Sequence, residues 1–517
     1  MRLIFTILLY AVFATTVSAQ TVNIQGDPYK GNPYASITAA IEASTNPNDV
    51  ILITGVHTGS IAIMKSLTLR GTDPKNDIIQ ANAAPNTATT RVITLTGTGA
   101  PIAPLNITIE NLGIRHGNAD LNSNGGGIFV DKITGLATLK NLIIENNNTA
   151  RNGGGIASDG STVDIVECTI QKNTATLDGG GIVANSNNGA GKNSTINIKQ
   201  SLIDSNTGRN GGGIYANGNT TFGNQYQLSI NIENSTISNN GALSPATGNG
   251  GGAIFCSVVA LSGSSPIAGN INLKLVHATI YNNTHPNATR AGIQFLGPSG
   301  QTNFSAFNSI IVGNNEAPLV TAINFNTSVN TANIVNCILG VLNNGTTNAI
   351  PTAIVDDPAK NNLAGRTATQ AGLDIVGGLK VLGGKTKVYA ISSDSKAIDF
   401  CTAATGITLP TNDQTGKLRS EKPDAGSYEF SSTSTSDDEY YNNNVKLYPN
   451  PTDAFFRISG VDISLVKNVK VYSIFGILEK VFYQENEFNI SDLSKGTHIV
   501  VIDIDGQKPI YQILLTP

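Results

Sequence analysis

The chain has 517 residues, a formal net charge of −4, 13 % charged side chains, 54 glycines, four cysteines and no tryptophan. The acid excess argues against nucleic acid as a partner, because a phosphate-binding surface needs clustered Lys and Arg. Few charges with abundant glycine fit thin strands joined at sharp corners.

Residues 1–19 read as a secretory signal peptide: Arg2, an apolar run LIFTILLYAVFATTV, then Val17-Ser18-Ala19 before Gln20. The run is too short to span a bilayer comfortably, and no later segment is apolar enough, so no transmembrane segment is expected in the mature chain. From Tyr34 the stretch YASITAAIEAS has helical periodicity, with Ser36 as its N-cap, and NDVILITGVHTGSIAIMKSLTLRGT follows as short strands broken at Gly55, Gly59 and Gly71. One amphipathic helix ahead of strands fits a lid over the first unit of a stack.

Two phrases then alternate. NGGGIF begins at Asn124, NGGGIA at Asn152, DGGGIV at Asp178, NGGGIY at Asn210 and GGGAIF at Gly250, with a degraded RAGIQF from Arg290. Between them lie ITIENLGI from Ile107, ATLKNLII from Ala137, VDIVECTI from Val163, INIKQSLI from Ile196, INIENSTI from Ile230, LKLVHATI from Leu273, FSAFNSII from Phe304 and ANIVNCIL from Ala332. A pair of phrases recurring every 26–43 residues or so means a repeat architecture in which no unit buries its apolar face alone.

Aligned, the second phrase gives columns. One reads Ile109, Leu139, Ile165, Ile198, Ile232, Leu275, Ala306, Ile334; another Ile114, Ile144, Ile170, Ile203, Ile237, Ile280, Ile311, Leu339. These are expected to face inward. Between them stand Asn111, Asn141, Glu167, Gln200, Asn234, His277, Asn308 and Asn336, followed by the small residues Cys168, Ser201, Ser235, Ala278, Ser309 and Cys337. A further column is Asn147, Asn173, Asn206, Asn240, Asn283 and Asn314. If each coil pairs with the next as parallel strands, identical residues stack about 4.8 Å apart. Like charges repel at that separation, whereas Asn accepts a left-handed turn and can bond its amide to the next rung. The Ile-rich columns and the lack of a helical segment between repeats disfavour a leucine-rich repeat.

The pattern resembles the right-handed parallel β-helix, or pectin-lyase-like, fold, and GG[AG]I paired with I-x-x-N is similar to the repeats of polymorphic outer-membrane proteins and other autotransporter passengers. The fold expected for residues 20–430 is thus an all-β, right-handed parallel β-helical solenoid with an N-terminal helical cap. Variable loops before Thr195, after Asn217 and after Cys256 each follow a glycine phrase, so they are expected to leave one edge of the prism, either as a recognition surface, which usually sits there, or as tolerated insertions.

Past Gly340 the phrases loosen. Ser395 to Phe430, with Ala397-Ile398-Asp399, Asp413-Gln414-Thr415-Gly416, Arg419 and Asp424-Ala425-Gly426-Ser427-Tyr428-Glu429, resembles the closing segment of choice-of-anchor β-helix domains, although Arg is more usual at Thr415. Residues 431–444 (SSTSTSDDEYYNNN) are a polar linker. Residues 445–517 alternate as strands of a small β-sandwich, with Asp505-Gly506 marking a hairpin. Lys446 to Thr452 (KLYPNPT), Val471 to Gly476 (VYSIFG) and Asp492 to Gly496 (DLSKG) resemble the C-terminal sorting domain of type IX secretion cargo; His498 in place of an aromatic and the Leu515-Thr516-Pro517 end depart from it. The resemblance implies the type IX machinery as partner and an extracellular or cell-surface location in a Gram-negative bacterium.

The cysteines do not form a disulfide framework. Cys168 and Cys337 share a column five coils apart, about 24 Å at the parallel spacing, beyond the roughly 7 Å that a disulfide spans. Chemistry is sparser still. The best constellation is the column Asp131, Asp159, Asn185, Asn217, where Asp131 and Asp159 fall on neighbouring rungs, close enough for paired-carboxylate catalysis or a cation. The competing reading is one more polar turn ladder. Asp178, Arg151 and Arg209 flank the glycine phrases as decoration, and His116 and His277 lack partners at ligand spacing. No catalytic, metal or cofactor residue is assigned. The expectation is a secreted, non-catalytic binding, adhesion or structural protein for surface glycans or host-matrix ligands; a lyase or hydrolase of acidic glycans is the alternative.

Overall fold

The computed structural model describes residues 20–516 except 27–32, 98–103, 187–192, 219–226, 246–249, 259–269, 288–289, 297–300, 315–322, 326–328, 341–357, 403–406, 431–444, 462, 474–476, 484 and 505–509. The expected signal peptide, the expected linker and the expected Asp505-Gly506 turn lie outside the described residues, as do most of the three edge loops. The chain divides into two compact units, Met1–Phe430 and Ser431–Pro517. Among the described residues no helix is long and apolar enough to cross a membrane.

The first unit is a parallel β-helix. Its strands stack into sheets of eleven, ten and nine, with a five-stranded strip of two-residue strands between the second and third along each coil. One coil shows how sequence makes a lap. Leu136–Lys140 lies in the first sheet, Asn141 turns the chain left-handed (φ 47°), and Ile143–Glu145 lies in the second sheet. Asn146 turns it again (φ 53°), Asn148–Thr149 forms the strip, and the glycine phrase leads into Ile156–Asp159 of the third sheet.

Both aliphatic columns are in register and buried. Leu139 pairs with Ile165 and Ile165 with Ile198; Ile144 pairs with Ile170 and Ile170 with Ile203. Most of these side chains are wholly shielded, each worth about 1.5–3 kcal/mol of transfer free energy. The glycine phrase has two separate demands. Its first glycine has positive φ (74° at Gly153), and a Cβ on the second, Gly154, would collide with the Gly180 carbonyl oxygen of the next coil.

The two asparagine columns divide the work expected of both. The corner column, Asn111 to Asn336, is left-handed at every position, with φ between 44° and 57°, including Glu167, Gln200 and His277. The inner column is fully buried but is not itself left-handed; the residue ahead of it is, as at Asn146, Lys172, Ser205 and Asn239. Its members form a continuous ladder. Asn173 Nδ2 donates to Asn206 Oδ1 (3.0 Å), Asn206 Nδ2 to Asn240 Oδ1 (3.0 Å) and Asn240 Nδ2 to Asn283 Oδ1 (2.9 Å). Each also donates to a carbonyl in the coil before, as Asn206 Nδ2 does to Ile170 O (2.9 Å).

The N-terminal lid forms as expected. Helix Ile37–Ala43 is capped by Ser36, whose Oγ accepts from the Ala39 amide (3.1 Å), and it buries Ile37, Ala40 and Ile41 over the first coil. Thr21–Ile24, which no repeat phrase marks, pairs antiparallel with Val50–Thr54 and closes the edge of the first sheet.

The closing segment packs against a flank of the stack. It runs back along the outer side of the second sheet, burying Ile310, Val312 and Ile338 against Leu373, Tyr389, Ile391 and Ala425. The corner column is its rail. Asn361 and Asn336 donate to Phe400 O and Thr402 O, His277 Nδ1 meets Asp424 O (3.1 Å), and Gln200 donates to Asp413 O (3.0 Å). The motif residues clasp the strap. Asp413 Oδ1 accepts from the Thr415 and Lys417 amides, and its Oδ2 accepts from the Glu429 amide. Arg419 forms a buried ion pair with Glu429 (3.0 Å) and donates to Asn234 Oδ1 (2.8 Å).

The second unit is a small antiparallel sandwich. Lys446–Tyr448, Phe455–Ser459 and Phe488–Asn489 form one sheet; Leu478–Phe482, Val466–Ser473, Gly496–Ile504 and Ile510–Thr516 form the other. Leu447, Phe456 and Phe488 from the first share a core with Val469, Val471, Val500 and Ile502 from the second.

Candidate functional site

The third sheet carries the acid column on its outer side. Strand alternation after the glycine phrase sends Ile128, Ile156, Ile182 and Ile214 inward. The next residue in each strand, and the one two beyond it, must therefore face outward. The register aligns Thr96, Asp131, Asp159, Asn185, Asn217 and Ser257 in one outward column, and Phe129, Ala157, Val183, Tyr215 and Phe255 in the other.

Asp131 and Asp159 are brought together as expected, on adjacent rungs, but their surroundings differ. Asp159 is fully buried, and its Oδ1 accepts from Asn185 Nδ2 (2.5 Å), whose own Oδ1 accepts from Asn217 Nδ2 (3.0 Å). Asp131 has Lys132 Nζ at 3.7 Å, while its buried Oδ1 accepts no hydrogen bond. The neighbouring Thr96 Oγ1 is likewise buried without a hydrogen-bond partner.

Arg91 completes the group and was not visible in the sequence pattern. Its guanidinium lies over the Phe129 ring, 4.6 Å from the centroid. Burial lowers its pKa, while Asp120, Asp131 and Asp159 oppose that shift. Further along, the Tyr215 and Phe255 rings stack 5.5 Å apart. Ala157 and Val183 between Phe129 and Tyr215 are wholly shielded. Burial, then the nearby Asp178 carboxylate, pushes the Tyr215 hydroxyl up, and a hydrogen bond from Ser257 partly offsets it. The signal for this aromatic column lay in the phrases themselves, which end in IF, IA, IV, IY and IF.

The remaining candidates take structural places. Asp178 occupies the asparagine position ahead of the three glycines, accepts from Asn210 Nδ2 (2.9 Å) and pairs with Arg209 (3.1 Å). Arg151 is exposed. His116 meets Asn82 O (3.1 Å), and His277 fills a rung between Asn308 and the strap. Among the described residues, no group of three or more His, Cys, Asp or Glu is arranged to hold a metal ion. All four cysteines are free and buried, and burial pushes the Cys168 and Cys337 thiols up to about 12.

The third-sheet strands that end at Asn185, Asn217 and Ser257 end in register. Comparison of the chain with curated proteins finds no match. Residues 446–515, which form the antiparallel sandwich, match the secretion system C-terminal sorting domain family. That domain marks type IX cargo, and the protein is exported to the cell surface or the extracellular space.

Proposed function

We propose that the β-helix is a non-catalytic binding or structural module, adhesin-like in use and pectin-lyase-like in fold, which export places outside the cell. Surface glycans or host-matrix polymers are its intended ligands, and residues 1–19 are its signal peptide. One observation carries this reading. Asp159, half of the best carboxylate pair, is sealed from water and engaged by Asn185, as in a structural ladder rather than an acid/base pair open to substrate. The long side faces of a solenoid suit recognition of a repeating polymer.

A second reading, a lyase or hydrolase of acidic glycans, draws on Asp131. Its buried Oδ1 accepts no hydrogen bond and lies in the neighbourhood of Arg91. The test is incubation of the exported chain with pectins and other uronates, with and without Ca²⁺, beside a glycan and matrix-protein binding array. Binding without new reducing ends or unsaturated products is the expected result. Cleavage that Asp131→Asn abolishes overturns it.

A further inference from the structure

The sorting domain breaks the alternation rule on one sheet. An antiparallel sheet packed on one side should present apolar residues to the core and polar ones to water. On Phe455–Ser459 the inward residue is Phe456, fully buried, yet Phe455 beside it is 42 % exposed. Across the ladder Tyr448 pairs with Arg457, and Tyr448 is 46 % exposed while Leu447 is buried. Two aromatics thus face solvent on the outer side of a small domain whose core already holds three phenylalanines, Phe456, Phe482 and Phe488.

These residues border a cleft of about 360 Å³, lined by Tyr448, Pro449, Thr452, Phe455, Arg457 and Glu487. The rest of the KLYPNPT motif is accounted for by the fold. Asn450 Oδ1 accepts from the Leu515 amide (2.9 Å), its Nδ2 donates to Ile513 O (2.6 Å), and the Thr452 amide donates to Leu515 O (2.9 Å). Those bonds hold the Pro449-Asn450-Pro451 corner against the last strand. The Tyr448 and Phe455 rings hold nothing in the core. At the end of the cleft Arg457 pairs with Glu487 (3.0 Å), and both stay about half exposed.

We propose that this cleft is the feature of the sorting domain that the export machinery grips. It rests on the sorting assignment of residues 446–515. The occupant is an extended segment of a machinery protein that lays one aliphatic or aromatic side chain between Tyr448 and Phe455 and sets a carboxylate or carbonyl oxygen against Arg457. Exposed aromatic pairs beside an arginine have the composition of interface hot spots.

The test uses the full chain in a type IX-competent cell, with surface and periplasmic fractions measured for wild type, Tyr448→Ser with Phe455→Ser, Arg457→Glu, and a deletion of 446–515. The double variant should lower the surface fraction at least tenfold and leave folded, protease-resistant precursor in the periplasm, and the deletion should do the same. Tyr483→Ser, an exposed aromatic outside the cleft, should export normally. Normal export of the double variant alongside a blocked deletion overturns the cleft and leaves the sorting assignment standing. Normal export of the deletion overturns both. Should the double variant be degraded, Arg457→Glu decides: retention supports the cleft, and normal export refutes it.

Discussion

The two asparagine columns of the β-helix stand on either side of the same sheet and are differently strict. The inner one, Asn147 to Asn314, is asparagine on every rung; the corner one admits Glu167, Gln200 and His277. The difference follows from how many constraints meet in one side chain. An inner asparagine is buried, and its amide serves a carbonyl in the coil before and an oxygen in the coil after. Its Oδ1 also receives the backbone amide of the preceding rung, as Asn206 does from Asn173 (3.0 Å). A corner residue must chiefly accept positive φ, and its side chain then meets either the next rung or the strap.

The largest effect expected from this contrast is at the inner column. Asn206→Ala strands the Ile170 carbonyl and two Asn173 donors inside the stack, at about 1–3 kcal/mol for each buried group left unpaired, so a loss of at least about 3 kcal/mol should appear in denaturant unfolding. A loss under about 1 kcal/mol would erase the distinction between the columns.

The next effect is a pH dependence. Burial, and then the Arg419 charge, hold the His277 imidazole well below its ordinary value of 6.5. Its folded pKa is thus below its unfolded one, so the unfolded chain takes up the proton first, and stability is lost as pH falls through about 6.5. Asp424 acts in the opposite sense. Burial raises it to about 6, so the folded chain keeps that proton longer, and stability is lost as pH rises from the unfolded value through about 6. Asp424 is common to both proteins, so subtracting the melting curve of His277→Asn from that of wild type isolates the histidine. The difference should widen in favour of the variant between pH 7 and pH 5; a flat difference would show that the ring is not held neutral.

The smallest effect is a gain. Glu167 has φ 56°, a conformation asparagine accepts more readily than glutamate, and Glu167→Asn should add about 0.5–1 kcal/mol in thermal unfolding. No gain would mean that the corner tolerates any residue that completes the turn.

Sequence columns were a faithful guide wherever one residue type answers one recurring environment. Ile170 above Ile144, and Asp159 above Asp131, follow from alignment alone, because the lap length returns each position to the same face. The strap had no such signature. Gln414 reaches Ser201 across 213 positions, and its contacts fall on the outer side of the sheet, where the repeat imposes no period. Arg91 escaped for a related reason: it precedes the first glycine phrase, so no column contains it. The candidate site was therefore half legible, its carboxylates from the ladder and its cation only from coordinates.

Thr21–Ile24 lies antiparallel on the opening strand, whereas every other pairing in the three long sheets is parallel. A stack of laps is by nature extensible, since its first and last strands present unfilled donors and acceptors to any chain of like pitch. Here the opening is occupied by the chain itself, a strand laid in the reverse direction and the helix Ile37–Ala43. The helix, which buries Ile37, Ala40 and Ile41 over the first coil, thus leaves the apolar end of the stack covered where the laps begin.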